Sequence, residues 1–212
     1  MTRRGPLITV DGPGGIGKST AIRATRLALQ TAGHTVHTTA QPSTSTFGQA
    51  VRAAAASMHG RALALAVAAD RLQQLDAEVR PHRDLGHTVL LDRYLPSTLV
   101  LQRADGVDLD YLLAINDGVD IPDLSVILLA DPETIRVRLE HRGTRHRFEL
   151  DGDSTRRELE LYREAAPVLQ DLGYTILTID ATHLTPEEIA TAIASATPAP
   201  GTTFDRTTTQ PS

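Results

Sequence analysis

Residues 7–20 read Leu7-Ile8-Thr9-Val10-Asp11-Gly12-Pro13-Gly14-Gly15-Ile16-Gly17-Lys18-Ser19-Thr20. Positions 12–19 match G-x-x-x-x-G-K-[ST] without a mismatch, the pattern of a phosphate-binding P-loop. The glycines let successive backbone N–H groups point inward around a phosphate chain. Lys18 supplies a cation for the β- and γ-phosphates, and Ser19 a hydroxyl ligand for Mg²⁺. The preceding apolar run suits a buried strand, and the apolar spacing of Ile22, Leu27 and Leu29 suits a helix. The loop thus lies between a strand and a helix N-terminus, where the helix dipole favours an anion. A purely structural βα turn would need neither Lys18 nor Ser19.

The whole chain bounds what this loop can serve. Its 212 residues suit one domain with a full core. Aromatic residues make up only 3%, so the core must be Leu, Val, Ile and Ala. A net charge of −5 argues against a basic surface for a nucleic acid polymer. With no cysteine there are no disulfides or thiolate metal sites, which fits a cytoplasmic protein. No apolar run approaches the roughly 18 residues of a membrane span, and no signal peptide is evident.

Strand and helix candidates alternate. Short apolar or β-branched runs at 6–11, 34–39, 87–92, 124–130 and 174–179 read as strands. Helices are expected at about 18–32, 46–57, 60–80, 97–104, 108–118, 132–141, 154–171 and 185–195. Asp131-Pro132 is a helix start, an N-cap followed by Pro at the first helical position. This order predicts an α/β fold, a five-stranded parallel sheet with helices on both faces. One domain is expected over 1–196, followed by a disordered Pro/Thr-rich tail over 197–212.

A second motif stands at the end of the third strand, Thr88-Val89-Leu90-Leu91-Asp92-Arg93-Tyr94. An Asp there can hold Mg²⁺ opposite a P-loop, and Arg93 would reach the crevice at the carboxyl ends of the strands. Further along come Ala68-Ala69-Asp70-Arg71, Ser97-Thr98 with Gln102, Pro122-Asp123-Leu124, Asp131-Pro132-Glu133 and Arg147-Phe148-Glu149. In this order and spacing, over about residues 6–180, the chain resembles the thymidylate kinase family of nucleoside monophosphate kinases.

The resemblance implies a P-loop kinase fold, a mobile lid at about 141–153, a homodimer, and ATP-dependent phosphorylation of a nucleoside monophosphate such as dTMP. It implies ATP phosphates held by Gly12, Gly14, Gly15, Ile16, Gly17, Lys18, Ser19 and Thr20, with Ser19 and Asp92 on Mg²⁺. Arg93 would bind the acceptor phosphate, and Arg71, Ser97, Gln102 and position 67, here Val67, would line the acceptor pocket. The segment from Arg136 to Arg147 carries five arginines and two histidines. The P-loop itself has no Arg, so the lid must supply the cation for the transferring phosphoryl group, and Arg142, Arg145 and Arg147 are its candidates. Arg136, four residues before Glu140, reads as a helix-surface pair, and Arg138 as a surface residue.

The departures from the family lie on the acceptor side. Gly14 stands where an acidic residue is usual, and Ala40-Gln41-Pro42 where Arg-Glu-Pro is usual. Val67 replaces a stacking aromatic, and Leu101 the Tyr before Gln102. A lost Arg–phosphate bond is worth roughly 1.5–3 kcal/mol, and a lost stacking platform about 1–3 kcal/mol. An intact donor half with a rewritten acceptor half points to an acceptor other than ordinary dTMP, such as a modified pyrimidine nucleotide or another small metabolite. The wording of the loop also resembles cytidylate kinases. A non-catalytic ATP-binding sensor is the alternative from another class. There is no Asn-Lys-x-Asp guanine motif and no Ser-Gly-Gly-Gln transporter signature. The small-residue stretches 53–56 and 62–69 suit close helix packing, including a dimer face, and the histidines show no metal-ligand spacing.

Overall fold

A computed structural model describes residues 4–142 and 152–199. Five strands, β1 (Leu7–Asp11), β2 (Val36–Ala40), β3 (Thr88–Asp92), β4 (Leu124–Leu129) and β5 (Ile176–Asp180), form one parallel sheet in the order β2-β3-β1-β4-β5. Nine α-helices connect or flank them among the described residues: α1 (Lys18–Thr31), α2 (Thr46–Ala54), α3 (Gly60–Gln74), α4 (Arg80–Asp84), α5 (Leu95–Ala104), α6 (Leu109–Ile115), α7 (Pro132–Arg142), α8 (Gly152–Asp171) and α9 (Pro186–Ala196). Apart from one helix that divides, the expected order and kind of elements are those observed.

The near-continuous apolar strands follow from burial on both faces. Along β1, β3 and β4, alternate side chains enter two cores. Leu7, Val89, Leu91 and Ile127 pack with Leu99, Leu112, Leu161 and Tyr162 from α5, α6 and α8. Ile8, Val10, Leu90, Val126 and Leu128 pack with Ile22, Leu29, Ile135, Ile189 and Ile193 from α1, α7 and α9. The sheet is therefore held from both sides, and its central strand β1 ends in the P-loop.

One expected element divides. The stretch predicted as a single helix over 60–80 becomes α3, a π-helical turn at Leu75–Val79, and α4. Pro81 has no N–H to donate and crowds the turn before it, and the wider turn absorbs the disruption. Capping sets other boundaries. Asp108 accepts from Asp110 N (3.0 Å) and Tyr111 N (3.3 Å) at the start of α6. Asp131 accepts from Thr134 N (2.9 Å) at the start of α7, as Asp131-Pro132 foretold. Most of the expected lid, with Arg145 and Arg147, lies outside the described residues, as does the tail from 200. Arg142 is described only as backbone at the end of α7.

Candidate active site

The P-loop wraps the start of α1 with its backbone buried from Gly12 to Ile16. Two glycines are required by space. A Cβ on Gly12, at φ +146°, would lie 2.5 Å from Leu128 O. One on Gly15, at φ +77°, would lie 2.7 Å from Leu139 Cγ of α7. Lys18 folds back over the loop, donating to Gly12 O and Pro13 O at 2.7 Å each. Burial, and then the Arg93 charge, push its ammonium down to about 7. Ser19 and Thr20 are exposed on the first turn of α1.

Asp92 and Arg93 leave the carboxyl end of β3, the strand beside β1. The Asp92 Oδ1 atom is buried with no hydrogen-bond partner. Arg93 takes the left-handed conformation, φ 70°, and its Nη1 donates to Ser97 Oγ at 3.3 Å. Burial works against its charge, but Tyr162, Glu158, Asp92 and Asp11 outweigh that and raise its pKa. A positive φ at a bulky residue is backbone strain of the kind that collects at functional sites.

Asp11, at the end of β1, ties these parts together. Its Oδ1 accepts from Tyr94 N (2.8 Å), Ser97 N (3.0 Å) and Ser97 Oγ (2.6 Å). It therefore satisfies the start of α5 from across the sheet. Burial raises its pKa against these hydrogen bonds. Tyr162 of α8 donates to Gly12 O at 3.0 Å and lies 3.0 Å from Ser97 Oγ. The loop, α5 and α8 thus share one buried polar knot. Ser97 stands in it beside Arg93, with its hydroxyl proton committed to Asp11.

The other expected acceptor residues lie along the seam of α3 and α5. Arg71 is buried, donating from Nε to Gln41 Oε1 (2.8 Å), from Nη2 to Thr98 Oγ1 (2.6 Å) and from Nη1 to Asn116 Oδ1. Its guanidinium carbon also lies 5.2 Å from the centroid of the Tyr94 ring. Three of its five N–H groups are so engaged. Val67 is half-buried four residues before Arg71, one turn away on the same helix. Gln102 stands four residues after Thr98, is 4% exposed, and has its Oε1 unpartnered. A buried orphan carbonyl suits a ligand N–H.

Sequence reasoning missed Asp11 and Arg138, and left Tyr162, on a helix after the lid, without a role. Arg138 is not a free surface group. Its Nη1 donates to Ile16 O of the loop (3.0 Å) and its Nη2 to Ala181 O (3.2 Å). Arg136, two residues earlier and so on another face of α7, pairs with Glu140 on the surface as expected, and also with Glu133. Periodicity offered no sign for Arg138, because the contact depends on α7 crossing the loop.

The ligand groups expected for a metal are both oxygens, the hydroxyl of Ser19 and the carboxylate of Asp92 with its orphan Oδ1, and the Asp11 and Glu158 carboxylates also act on Lys18. Mg²⁺ takes few protein ligands, usually one or two carboxylates with phosphates and water, so this set fits it. Among the described residues no cluster of three or more His, Cys, Asp or Glu could hold a metal ion.

A parallel sheet with a P-loop after its central strand, facing an Asp-Arg pair at the next strand, defines a P-loop phosphotransferase fold. The chain belongs to the thymidylate kinase family, whose model matches residues 10–193. It is 34% identical to a "Probable thymidylate kinase" of Caldivirga maquilingensis over 163 residues, covering 75% of this chain and 80% of that one. It is 32% identical to another from Pyrobaculum aerophilum over 191 residues, covering 88% and 93%. A solved thymidylate kinase from Candida albicans has the same fold, with a TM-score of 0.76 over 92% of each chain at 22% identity.

Proposed function

We propose that this protein transfers the γ-phosphoryl group of ATP to a nucleoside monophosphate, dTMP or a related pyrimidine nucleotide. The observation that carries the reading is the convergence of Lys18, the Asp92 carboxylate and Arg93 at the carboxyl ends of β1 and β3. In this reading the loop amides and Lys18 hold the β- and γ-phosphates, and Arg93 holds the acceptor phosphate in line with them. Ser19 and Asp92 would hold Mg²⁺, which when bound neutralises charge on the phosphates. Arg71, Val67, Ser97 and Gln102 form the acceptor side. Arg142, Arg145 and Arg147 of the lid would cover the transferring group, and residues 1–196 would act as one domain.

The replacements at Gly14, Ala40, Val67 and Leu101 favour an acceptor other than ordinary dTMP. Exposed apolar residues on α2 and α3, including Phe47, Leu65 and Leu72, support a homodimer through these helices. We place the reaction in the cytoplasm, where ATP and nucleotides are held.

The test is ADP release from ATP and Mg²⁺ with dTMP, dUMP, UMP, CMP, dCMP, AMP and GMP, with Lys18→Ala as control. Acceptor-dependent ADP release that is lost in the variant is expected, with a pyrimidine nucleotide preferred. Tight ATP binding with no acceptor-dependent turnover would overturn the kinase reading in favour of a sensor.

A further inference from the structure

A single file of side-chain hydrogen bonds leads away from Arg71 to the far side of β2. Arg71 Nε donates to Gln41 Oε1 (2.8 Å), and Gln41 Nε2 donates to Gln74 Oε1 (3.2 Å). Gln74 Nε2 donates to Glu78 Oε2 (2.9 Å), and also faces Thr39 Oγ1 (2.9 Å) and Ala40 O (3.2 Å). The other Glu78 oxygen lies 2.9 Å from His37 Nε2. The His37 ring is stacked on His82 at 3.6 Å between centroids, and His82 Nδ1 lies 3.0 Å from His87 Nδ1.

The file has a direction. An amide can present either its oxygen or its NH₂ to a neighbour, so two amides in series admit two senses. The ends remove that choice. Arg71 can only donate and an ionised Glu78 can only accept. Burial would raise the Glu78 pKa, but hydrogen bonds from Gln74 and His37 outweigh it and hold the carboxyl below its ordinary value. Glu78, with the Ala40 carbonyl beside it, draws the NH₂ of Gln74, which leaves the Gln74 oxygen for Gln41 and the Gln41 oxygen for Arg71. Hydrogen bonds aligned head to tail also strengthen one another. Position 41 is where the family pattern Arg-Glu-Pro has its carboxylate. In this chain an amide stands there, and the nearest charge along the file is Glu78.

We propose that Glu78 is a positioning residue for the acceptor site, acting through Gln74 and Gln41 to fix the direction in which Gln41 meets Arg71. His37, clamped by the His82 ring, holds Glu78 in place. The proposal rests on the reading of Arg71 as an acceptor residue. A misdirected Gln41 would set its NH₂ against the Arg71 Nε–H, shift the guanidinium, and weaken the acceptor in the ground state more than the chemical step.

The test uses the full chain with ATP, Mg²⁺ and the best acceptor of the nucleotide panel above. Glu78→Gln keeps the shape and removes the charged acceptor, leaving the longer bond to Ala40 O to hold the direction. Its acceptor KM is expected to rise about three- to tenfold, with kcat and the ATP KM within about twofold of wild type. Gln74→Leu cuts the file while leaving the Glu78–His37 pair, and carries the same expectation if Glu78→Gln does not fold. The double variant Gln41→Glu with Glu78→Gln puts a carboxylate directly against Arg71, and should return the acceptor KM to near wild type. A merely structural role for Glu78 would not be rescued in this way. An unchanged acceptor KM in Glu78→Gln and Gln74→Leu, where Arg71→Lys raises it, overturns the relay alone. An unchanged acceptor KM in Arg71→Lys overturns the acceptor reading of Arg71 itself.

Discussion

Replacing the P-loop lysine should stabilise the nucleotide-free protein. Lys18 titrates at about 7 in the fold, against 10.5 for an ordinary lysine. Between these values the unfolded chain holds a proton that the folded chain has released, so unfolding takes up a proton and stability rises with pH across the window. At pH 7 the buried amine lowers stability by about 4 kcal/mol, at 1.36 kcal/mol per pH decade. Lys18→Met removes this, along with two hydrogen bonds worth about 1 kcal/mol each. The two carbonyls are not orphaned, because Gly12 O still accepts from Tyr162 Oη and Pro13 O from Ile16 N. The net gain is about 2 kcal/mol at pH 7, or about 4–8 °C in melting temperature for a chain of this size. Urea unfolding without nucleotide at pH 7, 8 and 9 measures it. From pH 7 to 9 the wild type should gain about 2 kcal/mol more than Lys18→Met, closing the gap between them. A variant less stable than wild type at pH 7, or two parallel pH profiles, would refute the reasoning. The same variant should lose phosphoryl transfer, so a residue kept at a cost to the empty fold would be explained by the phosphates it meets.

Three further outcomes follow from the site. Arg93→Gly should be about 1 kcal/mol more stable than Arg93→Ala in chemical denaturation, because only glycine takes φ 70° without strain, while both lose acceptor binding. Asp11→Ala leaves Tyr94 N and both Ser97 donors without their acceptor, and should lower stability by about 3 kcal/mol by the same assay. Burial, then His37 and His87, hold His82 below the ordinary imidazole value of 6.5, so the fold resists its protonation. Thermal melts should therefore fall as pH drops below that value, and His82→Asn should flatten the decline.

Much of the fold could be read along the chain. The five strands and the helices between them announce themselves by apolar or β-branched runs, 3.6-residue spacing and caps such as Asp131-Pro132, each a signal carried by residues close in sequence. The same locality made the P-loop and the Asp92-Arg93 pair legible, since each is one turn at one strand end. The π-turn before Pro81 escaped notice because helical periodicity continues through it.

The linkages of the site were decided only by the tertiary structure. Tyr162 reaches Gly12 across 150 residues, Arg138 reaches Ile16 across 122, and Ser97 reaches Asp11 across 86. The sequence places Tyr162 on a helix after the lid but not against the loop, and Arg138 reads as one more charge on a polar helix. The file from Arg71 to Glu78 and the stack of His37 on His82 likewise join α3, the π-turn, α4 and β2. Local propensity and spacing report on neighbours within a turn or two of chain. Which distant side chains share a buried polar knot depends on strand order and helix packing, and these place β1 between β3 and β4 with α5, α7 and α8 closing over its end.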